Sequence, residues 1–553
     1  MKAGSMRILG IFALTAVGLM GIWTAGYGQP YEPELLWDRS GEEPDDRFGS
    51  YVAGIGDVDG DGCEDFLARA KIEGEGVIDL FYGGDPPDTI PDIIFRKPDP
   101  NCTYFGPNFD NIGDVNGDQQ GDFAVSARYI ADDSSIVYVY FGGSLLDTLP
   151  DVAMVWSPFT DGFGSNIRGI GDVNGDGYDD LAVFAANYDH GRGKVWVYYG
   201  GNPMDSIADW EREGSNQHVG FGQSIAGKGD LNGDGYDDFV IWEWTGYPDR
   251  YNSTHLIFFG GSELDTIPDL AIPSEDYYPP YGVSRGSAIV SNLNGDRFAD
   301  LIVCAGLTDD ALVFFGGDPM DIEVDLALEG FATPIPDDLY AMAISCAGDV
   351  NRDNYDDLLI SQTSYNSGYH VYVFFGGSWI YSQPYIQWDE GSIFCSGIGV
   401  SIADCGDING DGVDDIIFGS YHMDFNSEGR LDIWKGDTAF VVSVPEESSY
   451  PVPKNFRLLP PYPNPFNSTV SIPFEIFDGV HGDISVIIYN VLGQMVVDLR
   501  SEVRDAMARG DSGPYVVTWD GRNESGVDCG SGVYIIMLQW GVHRQLRKAV
   551  LLR

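Results

Sequence analysis

Seven stretches of this chain place side-chain oxygens at positions 1, 3, 5 and 9 of a nine-residue segment, with glycine and other turn-forming residues between them. The first is Asp57, Asp59, Asp61 and Asp65; the second Asp114, Asn116, Asp118 and Asp122; the third Asp172, Asn174, Asp176 and Asp180. The fourth is Asp230, Asn232, Asp234 and Asp238; the fifth Asn292, Asn294, Asp296 and Asp300. The sixth is Asp349, Asn351, Asp353 and Asp357, and the seventh Asp407, Asn409, Asp411 and Asp415. Hard oxygen donors from one short loop suit a cation that takes six to eight oxygens in a flexible geometry, which is calcium. Magnesium demands a stiffer octahedron and keeps its water, and zinc would need His or Cys, which no shared position supplies. Up to seven structural Ca²⁺ ions are expected.

An EF-hand loop opens the same way but ends in a bidentate Glu at position 12, between two helices. Here position 12 is Ala68, Val125, Val183, Ile241, Val303, Ile360 or Phe418, all apolar. These fall in short runs such as Leu181-Ala-Val-Phe184 that read as buried strands, so each loop joins two strands. Successive loops begin 57, 58, 58, 62, 57 and 58 residues apart. A period this regular marks repeated supersecondary units. Each unit has an outer strand-like run, then in four copies a Phe-Gly pair nine residues ahead of the loop (Phe48, Phe105, Phe163, Phe221). The buried run follows the loop, and an aromatic run ending in Gly-Gly completes the unit, as in 138–143 and 256–261. Four strands in each of seven units predict an all-β fold, a seven-bladed β-propeller.

These residues resemble the FG-GAP repeats of the integrin α-subunit propeller and the related calcium-binding repeats of bacterial secreted proteins. The resemblance covers residues 31–440. It implies that each loop lies between the first and second strand of a blade, and that an N-terminal strand completes the last blade. By that reading Pro33 to Trp37 closes the ring against the blade ending near Trp434. The loops are not equal, because glycine at position 6 permits a turn that a Cβ would strain. Gly62, Gly177, Gly235 and Gly412 supply it, whereas Gln119, Arg297 and Asn354 replace it. The first, third, fourth and seventh loops therefore rank strongest, and the fifth, with Asn292 and Arg297, weakest.

The 553 residues are 43% hydrophobic, enough for more than one core. Eighty-six acidic against 30 basic residues give a net charge of −56, which seven divalent ions would reduce only to about −42. Such a surface repels nucleic-acid phosphate and anionic headgroups, so no nucleic-acid partner is expected. Lys2 and Arg7, an apolar run from Ile8 to Trp23 and the small residues to Gly28 read as a signal peptide over 1–28. That run is shorter than the ~20 residues a spanning helix needs, so no transmembrane segment is expected. The seven cysteines show no metal or disulfide-module spacing. Cys304 and Cys346 occupy core positions of the repeat and read as free thiols, with Cys395 to Cys405 the one bridge to consider.

Residues 441–455 shift to Pro, Ser, Glu and Tyr and read as a linker. From 456 to 553, alternating runs such as Ile484-Ser-Val-Ile-Ile-Tyr489 between turn signals predict a small C-terminal β-sandwich. Tyr462-Pro-Asn-Pro-Phe-Asn467, Trp519-Asp-Gly521 and Ser531-Gly-Val-Tyr534 look like the C-terminal sorting domain of the Bacteroidetes-type (type IX) secretion system. That likeness implies the secretion machinery as a partner. It also implies a location outside a Gram-negative cell or on its outer-membrane surface, after signal-peptide cleavage.

Signals for catalysis are thin. The seven histidines form no HExxH or other metal spacing. Gly282-Val-Ser284-Arg-Gly286 matches the nucleophile-elbow pattern without its strand-turn-helix setting. The expectation is a calcium-stabilised binding or adhesion module with no chemistry of its own, its ligand a glycan or surface protein. Tyr277-Tyr-Pro-Pro-Tyr281, in the longest spacing, is the candidate binding loop. The other reading is a hydrolase on a propeller scaffold, acting on polysaccharide or phosphoester substrates.

Overall fold

The computed structural model describes residues 21–24 and 33–553, apart from 42–45, 73–74, 144–145, 216–219, 246–250, 277–285, 305–310, 329–340, 365–367, 379, 383, 391–397, 421–427, 439–455, 460, 477–483, 491–494, 509–514, 524–525 and 541–542. Each repeat folds as an antiparallel sheet whose strands follow chain order from inside to outside. Blade one is Val52–Gly56, Asp65–Ile72, Glu75–Phe81 and Ile93–Phe95, and blade three is Phe163–Gly171, Asp180–Ala185, Lys194–Tyr198 and Trp210–Glu213. Blades two, four, five and six occupy 104–156, 225–276, 287–328 and 341–390. The innermost strand of each blade touches that of the next, and Ile398–Asp404 of blade seven touches Val52–Gly56 of blade one. The ring is a closed seven-bladed β-propeller.

Closure uses the N-terminal strand. Leu35–Ser40 lies antiparallel against Arg430–Trp434 as the outer strand of blade seven, with Leu35 opposite Trp434. The pairing runs to Ser40, three residues beyond the segment expected from the sequence. Of the expected leader, Gly21–Thr24 is described, as a fifth strand outside Ile386–Glu390 in blade six.

Both faces of every blade are covered by neighbouring blades, so the core divides among the joints. One apolar cluster joins Leu67 and Leu80 of blade one to Phe109 and Phe123 of blade two. Six others repeat the pattern, the last linking Leu431 and Ile433 of blade seven to Phe66 and Phe81 of blade one. The apolar residues at position 12 of the loops point into these joints, which is why no acid stands there. At three joints an outer-strand aromatic meets a stacked pair of the next blade edge-on. Trp37 stands over Phe66 and Phe81 at 5.5 and 5.4 Å, Phe95 over Phe123 and Tyr140, and Trp210 over Phe239 and Phe258.

Beyond the ring, a three-stranded sheet (Phe456–Leu458, Val470–Ile476, Tyr515–Trp519) and a four-stranded one share a core of Val470, Phe474, Val486, Trp519, Ile536 and Leu551. The sandwich also holds a helix, Arg500–Ala508, which the strand pattern did not predict; Val503 and Ala506 seat it in the same core. Cys304 and Cys405 are buried thiols outside any disulfide, and the Cys405 thiol donates to the Asp415 carbonyl at 3.0 Å. A bridge from Cys405 is therefore not formed, and Cys395 lies outside the described residues. Among the described residues no helix is long and apolar enough to cross a membrane.

Trp37 carries closure twice, by its ring and by an indole N–H donated to the Asp88 carbonyl at 2.6 Å. Trp37→Ala is expected to cost about 3–5 kcal/mol in chemical denaturation. A loss below about 1 kcal/mol, the range of an ordinary surface change, would contradict closure through this strand.

Candidate metal centres

Each acidic loop connects the first and second strand of its blade, at the end of the sheet where the third and fourth strands also turn. Its curl is written in its own hydrogen bonds. In the third loop Asp172 Oδ1 accepts the N–H groups of Gly175 and Asp176 at 2.7 and 3.1 Å, and Oδ2 accepts that of Gly177 at 2.8 Å. Asn174 Oδ1 and Asp176 Oδ1 each accept the N–H two residues on, at 2.8 and 3.1 Å. Asp57, Asp114, Asp230, Asp349 and Asp407 gather their loops in the same way. The outcome is convergence: in the first loop, carboxylate oxygens of Asp57, Asp59 and Asp61 lie within 4.8 Å of one another. Oxygens so placed, with lone pairs to spare, fit a calcium ion. The other loops carry Asn at position 3, and the amides of Asn174, Asn232 and Asn294 donate to Asp176, Asp234 and Asp296 at 3.0 to 3.1 Å.

Position 9 behaves differently from the other three. Asp65, Asp122, Asp180, Asp238, Asp300, Asp357 and Asp415 are buried, and Asp65 stands outside the cluster formed by Asp57, Asp59 and Asp61. In Asp180, Oδ2 accepts the N–H of Val173 at 3.0 Å and Oδ1 that of Gly200 at 2.9 Å, tying the loop to the Gly-Gly turn of the same blade. The tie recurs in all seven blades, with Gly436-Asp437 in place of Gly-Gly in the seventh. Burial pushes Asp122, Asp180 and Asp238 up to about 8, and Asp65, Asp300 and Asp415 up to about 7; the donated N–H groups pull the other way. A cation beside these carboxylates favours their charged form and lowers those values.

Position 6 is left-handed in Gly62, Gly177, Gly235 and Gly412, with φ between 83° and 94°. Gln119 and Asn354 reach the same region at 69° and 68°, which costs a residue with a Cβ about 1–2 kcal/mol. Arg297 stays out of it. In that fifth loop Asn292 turns its amide to the Asn354 carbonyl of the next blade at 2.7 Å. In the seventh, the Lys435 ammonium sits on Asp411 Oδ2 at 2.6 Å, an internal cation that competes for a ligand oxygen. Sequence reading passed over Lys435, although six repeats place Tyr or Phe there before the first Gly.

The turns between third and fourth strands were also passed over. Ile90, Leu149, Ile207 and Ile267 occupy the same place in blades one to four and are 67 to 71% exposed. Each is fixed by its own N–H, donated to the Asp two residues earlier at 2.6 to 2.7 Å. Blade five has Glu323 in that place, with the same bond. Tyr277 to Tyr281 and Ser284 lie outside the described residues.

Residues 163–198 match the FG-GAP repeat, and residues 461–551 match the secretion system C-terminal sorting domain. Integrin alpha-5 of Xenopus laevis is 26% identical over 229 residues, 38% of this chain and 21% of that protein. Integrin alpha-PS2 of Drosophila melanogaster is 30% identical over 234 residues, 38% of this chain and 16% of that protein. The chain thus spans less than a quarter of the length of these relatives. Among solved structures, PorZ, a surface component of the type-IX secretion system of Porphyromonas gingivalis, aligns with 92% of this chain and 60% of its own at 13% identity. Its TM-score of 0.30 is too low to carry argument. The β-propeller thus contains a match to the FG-GAP repeat and is followed by a secretion sorting domain, which implies export to the cell surface or the medium.

Two outcomes follow from the loop geometry. Asp176→Ala is expected to weaken calcium binding, measured by calorimetry, more than Asp296→Ala does; the opposite order contradicts the ranking of the third loop above the fifth. Without metal, the buried carboxylates at position 9 hold protons more tightly folded than unfolded. Their stabilisation is therefore complete below the ordinary carboxylate range and is lost as pH rises through 7 to 8. Chelator-treated protein should melt higher at pH 5 than at pH 8.5, and equal or inverted melting temperatures would contradict that placement.

Proposed function

We propose that this protein is a secreted, calcium-binding propeller that acts as a binding or adhesion module at the bacterial surface, with no chemistry of its own. The convergence of Asp57, Asp59 and Asp61 carries the calcium part of this reading. Loops that curl around a point through their own backbone leave few positions open to a substrate, so the ions act on stability. With millimolar external calcium and a dissociation constant near 10⁻⁴ M, each ion contributes about 1.4 kcal/mol. Several such ions are comparable with a domain's whole margin of about 5–15 kcal/mol.

The row of Ile90, Leu149, Ile207 and Ile267 supports the binding part. Lone exposed aliphatic residues need no explanation, but the same fixed, solvent-facing position is aliphatic in four consecutive blades. Aliphatic contact favours a surface protein as ligand over a glycan. The sorting domain supplies the route to the outer surface, through the secretion machinery.

Chelation should lower the melting temperature by roughly 10 °C, and an unchanged melt contradicts structural calcium. Binding to the outer surface of whole cells should need calcium and fall in an Ile207→Asp, Ile267→Asp variant that melts normally. Turnover in a polysaccharide or phosphoester hydrolase screen, abolished by one carboxylate change outside the loops, would overturn the module reading in favour of an enzyme.

A further inference from the structure

The residue at position 8 of each loop is not among the loop's own ligand positions, and what it touches is the preceding loop. Asp179 Oδ2 accepts the N–H of Asp114, Asp237 Oδ2 that of Asp172, Asp356 Oδ2 that of Asn292 and Asp414 Oδ2 that of Asp349, at 2.7 to 3.0 Å. Each acceptor belongs to one blade, and each donor is the first ligand residue of the blade before it. The main chain adds a bond that is not confined to these joints: the N–H groups of Asp179, Asp237 and Asp356 go back to the carbonyls of Asp114, Asp172 and Asn292 at 3.0 to 3.1 Å, and those of Gly121, Ala299 and Glu64 to Asp57, Asp230 and Asp407 at 2.9 to 3.4 Å, so the carboxylate is what sets the four joints apart. The second Gly of the next blade's Gly-Gly then donates to the carbonyl at position 2, as Gly201 does to Val115 and Gly261 to Val173, both at 2.8 Å.

The backbone leaves room for this contact, since glycine precedes six of the seven loops whether or not the facing position 8 is Asp. The residue just before the loop is Gly113, Gly171 or Gly348 at three of these joints, with φ of 69° to 78°. A Cβ there would stand 2.0 to 2.2 Å from the carboxylate of Asp179, Asp237 or Asp414. Ser291 occupies the place at the joint to Asp356. Where position 8 is Gly121 or Ala299 no such carboxylate exists, and in blade one the longer Glu64 lies against Gly406.

We propose that Asp179, Asp237, Asp356 and Asp414 are positioning residues that couple neighbouring calcium loops, in two blocks: loops two, three and four, and loops five, six and seven. This rests on the calcium reading above. An ion in one loop fixes the backbone of position 1, whose N–H and carbonyl hold position 8 of the next loop. Position 8 adjoins the ligand at position 9, so part of the next loop's ordering cost is already met when its ion arrives. The coupling is reciprocal, as any linkage between binding equilibria must be. It gives the weak fifth loop the support of the sixth.

The test is a calcium titration of the full chain by calorimetry, with metal counted at saturation. The wild type should show a Hill slope above 1. Asp237→Ala should weaken the tight phase about fivefold or more and flatten the slope with the saturating count unchanged. Asp237→Asn, whose amide oxygen still accepts the Asp172 N–H, should restore both, and Glu64→Ala should change neither. In an Asp176→Ala background, which disables the third loop, Asp237→Ala should have no further effect. An effect that persists there places Asp237 in its own loop and overturns the coupling, as does an Asp237→Ala curve that superimposes on wild type. Asp414→Ala, with Asp411→Ala disabling its own loop and Asp353→Ala the preceding one, repeats the cycle if Asp237→Ala does not fold. A wild type that binds no calcium instead sinks the calcium reading itself, so the two failures are distinct.

Discussion

A four-stranded sheet with both faces apolar cannot stand alone, and the seven blades are held by what passes between them. Apolar clusters fill the joints, but such contacts are non-directional and do not fix how one blade is set against the next. Direction comes from one hydrogen bond repeated around the ring. The carbonyl at position 2 of each acidic loop accepts an N–H from the turn of the following blade, at 2.6 to 3.0 Å, and the bond from Gly84 to Ile408 closes the circle. Loops that look like appendages for holding ions are therefore the places where blade is fastened to blade.

This double duty concentrates acidic charge at the joints. Each loop packs carboxylates close enough to repel one another, and its ninth residue is buried against its own turn. Backbone N–H groups satisfy those carboxylates geometrically without supplying the missing positive charge. On the calcium reading proposed above, divalent ions would supply it at the loops and let the most acidic parts of the molecule sit at its most important joints. The Lys435 ammonium does the same for Asp411 from within the chain, at the blade whose outer strand arrives from the N-terminus.

The architecture was legible because it depends on features that recur along one dimension: the period, the apolar position 12, and the aromatic runs before Gly-Gly. Closure by Pro33 to Trp37 was read through the family resemblance, from a run that looks like the outer strand of the other repeats, and the pairing itself covers Leu35–Ser40. What a repeat taken singly does not show is anything that links one repeat to the next. The bond from Asp114 to Asp179 spans 65 residues, and nothing within either loop distinguishes Asp179 from a solvated acid. Asp180 has the composition of a ligand and the surroundings of a core residue, so residue type pointed to one role where burial adds another. The Arg500–Ala508 helix escaped because its few buried positions, Val503 and Ala506 among them, make too short a helical pattern to stand out beside strands.

Hydrogen–deuterium exchange with and without calcium bears most directly on the loops as joints. The informative amides are those of Gly84, Gly143, Gly201, Gly261, Gly317 and Gly377, which all cross from one blade to the next. On calcium removal these amides should lose protection first, while amides within the second and third strands of each blade stay protected. Loss of protection within the blades before the joints, or joints indifferent to calcium, would contradict the account.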